Sequence, residues 1–138
     1  MKTSQVLLCA IAVALCTWLS TEPVGSAIAA ILAPATLIYL AIHCKSLKST
    51  MFWIFLFQLP LWLYVHKWVF DIAIAGWIGI GLYMSIWAPL FVLLLKRVSD
   101  RKLCTRISIV FTAPIIWVGL ECMRGIVLFD GYPWYLAG

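Results

Sequence analysis

Charge is what this chain has least of. Asp and Glu number five in 138 residues, Lys and Arg ten, and charged residues of both signs make up 11%. Soluble domains carry roughly 25% charged and about 45–50% apolar residues. Here 65% is apolar and the mean hydropathy is +1.08. A globule of this length cannot bury so much apolar surface, so a water-soluble domain is excluded and an all-α membrane bundle is expected. Chemical motifs are missing too. Cys9, Cys16, Cys44, Cys104 and Cys122 show no CxxC or zinc-type spacing and are odd in number, so they read as packing residues. There is no Ser/His/Asp set and no phosphate-cradling glycine loop, and His43 and His66 fall at opposite membrane faces. No catalytic residue, metal, cofactor or nucleic-acid partner is expected.

What is present is a series of apolar runs. Five segments, roughly 6–19, 27–42, 51–65, 72–95 and 107–129, are predicted to span the membrane. The first and third are short for a bilayer needing about 20 residues, so their flanks must contribute. The fourth is long and contains Pro89; a kink, a tilt or an interfacial stretch over 68–75 would accommodate it. Lys2 ahead of an apolar run resembles a signal peptide, but Trp18 and the lack of a small-x-small site point to an uncleaved span.

The cations set direction. With the N-terminus cytoplasmic, eight fall inside: Lys2, Lys45, Lys48, Lys96, Arg97, Arg101, Lys102 and Arg106. Only Lys67 and Arg124 fall outside. The positive-inside rule therefore puts the N-terminus in the cytoplasm and the C-terminus outside. Trp18, Trp62, Tyr64 and Trp68 are read as interfacial rings at outer ends, Phe52 and Trp53 at an inner end. His66, Lys67 and Asp71 read as a solvated outer loop, with Glu22 in another. Small residues at Gly25, Ala29 and Ala33, and at Ala75 and Gly79, are candidate helix contacts.

One stretch breaks the oil. In "LECMRGIVLFDGYPW", residues 120–134, an acid and a base sit three residues apart. Glu121 lies fourteen residues past Ile107, about 21 Å along a helix, hence in the outer half of a hydrocarbon core about 30 Å thick. An ion there costs about 2.5–3.5 kcal/mol on insertion scales and needs a partner. Arg124 at i+3 shares its helix face, and its stem can snorkel outward. Asp130-Gly131 then signals a turn, and Pro133 holds Tyr132 extended before Trp134 and Tyr135. Two readings stand: an internally neutralised pair, or a polar face meeting a lipid headgroup or a second domain. Glu121, Arg124, Gly131, Tyr132, Pro133 and Trp134 are the candidate outer-rim contacts.

The same stretch carries a family likeness. "APIIWVGLECMRGIVLFDGYPWYLAG", residues 113–138, resembles a segment of the apolipoprotein N-acyltransferases. The matching residues are Ala113-Pro114, Trp117, Glu121, Arg124-Gly125, Gly131, Pro133-Trp134 and Gly138; "LWLYV" at 61–65 is a looser match. Tyr132 replaces the family's Phe, and Leu61 an Asn common among members. The resemblance implies an eight-span membrane domain of the bacterial cytoplasmic (inner) membrane, bearing an outward-facing nitrilase-like domain. That enzyme moves an acyl chain from a membrane phospholipid to the N-terminal diacylglyceryl-cysteine of an apolipoprotein. A Glu-Lys-Cys set and a thioester intermediate do the chemistry, splitting the transfer into two steps. This chain corresponds to about the first quarter of a typical member. It is expected to be a truncated portion, inactive alone, whose partners are membrane phospholipid and a nitrilase-like domain or apolipoprotein. A stand-alone five-span scaffold or partner subunit is the alternative. A small transporter is disfavoured, since no repeat or charge-lined path is evident.

Overall fold

The computed structural model describes residues 1–21, 24–100 and 106–127, and these are helical with short connections. In order they form α1 (Thr3–Ser20), α2 (Ala27–His43), α3 (Leu47–Val65), the one-turn α4 (Lys67–Phe70), α5 (Ile74–Asp100) and α6 (Arg106–Cys122). A π-helical turn, Met123–Val127, continues α6. Each predicted apolar segment thus lies within or overlaps a helix. Two of them, Thr3–Ser20 and Ile74–Asp100, are long and apolar enough to cross a membrane, and Ala27–His43 is a shorter apolar helix. The long fourth segment is preceded by α4 and begins in a turn over 71–73, from which α5 follows.

Local chemistry sets the boundaries. Ser26 caps α2 by accepting from the Ala29 N–H at 3.4 Å, and Ser46 caps α3 by accepting from Ser49 at the same distance. Ahead of α2 the chain turns at Gly25, whose φ of +58° suits a residue with no Cβ. Prolines stand inside α2, α3, α5 and α6 at Pro34, Pro60, Pro89 and Pro114. Each removes one helical hydrogen bond, which packed spans tolerate when neighbours compensate.

Helix α3 packs most extensively on α5, and α1 lies against α2 and α3. Gly81 lies tightly against α3: a Cβ there would meet Leu63 Cγ at 2.9 Å. Ala29 and Ala33 are buried as the small-residue pattern suggests, but Ala75 and Gly79 are exposed and Gly25 is a turn residue. The close contact on α5 falls two residues beyond the predicted stripe because Gly79 lies on a different helical face.

Two further expectations need correction. His66 is fully buried, because it closes α3 with its ring folded back on the Trp62 carbonyl at 2.9 Å; its neighbours Lys67 and Asp71 are exposed, as read. Trp62 is buried as well, its ring turned into the bundle, while Trp18, Tyr64 and Trp68 are exposed. Glu22 lies outside the described residues.

Packing is uneven along the bundle. The N-terminal half of α1 (Val6, Ala10, Val13) meets the C-terminal half of α2 (Leu37, Leu40, Ala41) and Phe91, Val92 and Leu95 of α5 in a closed apolar core. Large apolar residues such as Leu8, Ile31, Phe111 and Ile115 point outward. The other half of the bundle is hollow.

Candidate functional site

The hollow is a cavity of about 550 Å³, within the range of roughly 300–1,000 Å³ of small-molecule sites. Its floor is shared with the closed core through Leu37 and Phe91. Phe91 also meets Trp117 edge-on, with ring centroids 5.2 Å apart, so α5 and α6 close one wall. On the opposite side stand Pro34 of α2 and the last turn of α1. Pro34 cannot donate to the Ala30 carbonyl, and both residues line the space.

Hydroxyls of the α1 wall are satisfied within their own helix. Thr17 donates to the Val13 carbonyl at 2.8 Å, Ser20 to Thr17 and Thr21 to Trp18, both at 2.7 Å. Back-bonding of this kind lets Ser and Thr sit in an apolar helix without exposing a donor. Gln58 of α3 is 2% exposed and lines the cavity. Its amide nitrogen donates to Thr17 Oγ1 at 3.3 Å.

Glu121 and Arg124 line the same cavity. Arg124 Nη2 lies 3.8 Å from Glu121 Oε1, with side chains 9% and 20% exposed. At that separation the pair is held by charge rather than by a short hydrogen bond. Glu121 belongs to α6 and Arg124 to the π turn, a departure from α-helix that often marks functional positions. The turn is fastened from α5, where the Tyr83 hydroxyl donates to the Arg124 carbonyl at 3.2 Å. Cys122 and Met123, between the two charged residues, are exposed. Of the four residues 121–124, the acid and the base are thus the two that line the cavity.

With that geometry in place, the comparison with known families is decisive: residues 13–138 match the apolipoprotein N-acyltransferase N-terminal domain. The chain belongs to that family. Comparison with curated proteins and with solved structures found no match. The family and the apolar helices make this a membrane protein, and what is matched is the N-terminal domain of an acyltransferase.

Of the predicted rim residues in this N-acyltransferase domain, Glu121 and Arg124 are brought together on the cavity wall. Gly131, Tyr132, Pro133 and Trp134 lie outside the described residues. Sequence reasoning missed Gln58 and Trp87. The available signal was a carboxamide in the apolar run "IFLFQLPLW", since a polar side chain at membrane depth demands a partner or a ligand.

Proposed function

We propose that this chain is the membrane portion of an enzyme that transfers an acyl chain from phospholipid to the N-terminal diacylglyceryl-cysteine of an apolipoprotein. On this reading it sits in the bacterial cytoplasmic (inner) membrane with five spans. On the same reading acyl transfer itself belongs to a nitrilase-like domain, and residues 13–138, matched as the N-terminal domain, do not perform it by themselves. The chain's part is to hold lipid beside that domain.

One observation carries the proposal: an apolar cavity has an ion pair, Glu121–Arg124, in its wall. A phospholipid presents the same combination, an apolar chain joined to a charged headgroup. The cavity also occupies the half of the bundle holding the C-terminal ends of α1 and α3 and the N-terminal end of α2. With eight cations assigned to the opposite face, that half is extracytoplasmic, the side on which the family's catalytic domain is expected.

The test is replacement of the residues matching Glu121 and Arg124, separately with Ala, in a full-length relative. Acyl transfer falls in both while the protein still accumulates in the membrane. Unchanged activity in both variants leaves the pair a structural role and removes the proposal's main support.

A further inference from the structure

The cavity has a definite floor. On α2 its lining residues Ala30, Ala33, Pro34 and Leu37 follow the i, i+3, i+4, i+7 spacing of one helix face. That face continues into the closed core as Leu37, Leu40 and Ala41. On α5 the lining residues Met84, Trp87, Ala88 and Phe91 repeat the spacing. Their face continues into the core as Phe91, Val92 and Leu95. Both faces pass from open space to packed core in the same chain direction, and the change falls at Leu37 and Phe91.

Phe91 is the harder part of that floor. Among the described residues it is the bulkiest of the fully buried side chains. Trp117 of α6 braces it edge-on, with ring centroids 5.2 Å apart. The ring cannot turn aside without disturbing a second helix.

Volume above the floor decides what fits. At about 30 Å³ for each water, the 550 Å³ cavity has room for about eighteen molecules, and a methylene group is close to water in size. That accommodates one long acyl chain and is too little for both chains of a phospholipid. Each lining stripe rises only about 10 Å, less than the extended length of such a chain. The chain therefore bends, and the limit is one of volume.

Burial alone does not select a length, because a methylene finds lipid tails as apolar as a cavity wall. A fixed second end is required, and the Glu121–Arg124 pair supplies it. Both residues line the cavity, about one and two turns beyond Trp117. A headgroup held there fixes one end of the chain, and the floor limits the other. A chain too long for the space lifts its headgroup off the pair, and one too short leaves a void.

We infer that the cavity takes up one acyl chain of a phospholipid at a time and that Phe91 sets the longest chain it accepts. The inference rests on the reading of the cavity as a lipid site. It adds how many chains enter and what limits their length.

The full chain, purified in detergent micelles, is offered lysophospholipids of one headgroup with saturated chains of about 12 to about 22 carbons. Retention is measured by native mass spectrometry. One lysolipid is held per protein, retention peaks at about 16–18 carbons, and it falls by at least about fivefold at the longest chain. Phe91→Ala deletes the ring and moves the peak longer by about two to four carbons; Phe91→Leu gives a smaller shift the same way if the Ala variant fails to fold. Ala88→Leu, one turn above on the same stripe, moves the peak shorter by about as much. Opposite shifts from one wall are not produced by loosening of the bundle, which weakens every length alike. Two lysolipids per protein, no peak in the unaltered chain, or a peak unmoved in both folded variants overturns the inference and leaves the cavity a lipid site. Retention of no chain length overturns both.

Discussion

The Tyr83 hydroxyl donates to the backbone carbonyl of Arg124 at 3.2 Å, tying α5 to the π turn across 41 residues of sequence. The bond holds the backbone that carries the guanidinium, whereas the Glu121–Arg124 ion pair, at 3.8 Å, constrains only side chains. Hydrogen bonds between membrane helices contribute about 0.6 kcal/mol on average and up to about 1.7. Tyr83→Phe is therefore expected to lower stability by about 0.5–1.5 kcal/mol, read from unfolding in mixed micelles. No measurable change would show that the turn is held by other contacts.

Glycines on one helix differ in what surrounds them. A Cβ at Gly81 meets the Leu63 side chain, while at Gly79 there is nothing within 4 Å. Overpacking costs about 1–3 kcal/mol, and Gly to Ala in a helix gains up to about 1 kcal/mol. Gly79→Ala should leave stability equal or slightly raised, and Gly81→Ala should fall below it by about 1–3 kcal/mol in the same unfolding assay. Equal stabilities would mean that Leu63 moves aside freely.

These two glycines also show how far the sequence reaches. Apolar runs located the helices because length and hydropathy are local properties. Spacing placed Glu121 and Arg124 on one face because i, i+3 geometry is local too. Which of Ala75, Gly79 and Gly81 meets a neighbour depends on how α5 is rotated against α3, which no single helix encodes. Trp62 and His66 misled for a related reason: a ring at a span end suits the interface and a histidine beside Lys67 suits a solvated loop, yet both are buried. Gln58 went unread in its apolar run, because its partner, Thr17, is 41 residues away on another helix.

The two halves of the bundle should respond differently to added volume. Ala10 is fully buried in the closed core, and Ala30 borders the cavity. Ala10→Leu is expected to cost about 1–3 kcal/mol. Ala30→Leu extends into open space, keeps stability within about 1 kcal/mol, and reduces lipid retention. Melting of each variant in detergent, with lipid retention measured alongside, distinguishes them; similar destabilisation by both would mean the hollow half closes in solution.

His66 gives the chain a pH response. Burial pushes its pKa below the usual histidine range, and the Trp62 carbonyl at 2.9 Å offsets this in part. A carbonyl only accepts, so Nδ1 carries the proton of the neutral ring. The folded state therefore favours the neutral form, and its stability is fully present above the unfolded value of about 6.5 and declines as pH falls. Stability in detergent is expected to drop between about pH 7 and pH 5, and His66→Gln to flatten that slope. Equal slopes for the two proteins would show that the ring is hydrated.

The central claim is that the half of the bundle holding the cavity and the Glu121–Arg124 pair faces out of the cell. It is tested most directly by labelling single cysteines, placed by Ile72→Cys or Ser99→Cys in a chain whose own cysteines are replaced, with a membrane-impermeant maleimide. The account predicts labelling of position 72 in intact cells and of position 99 only after lysis; the reverse pattern contradicts it.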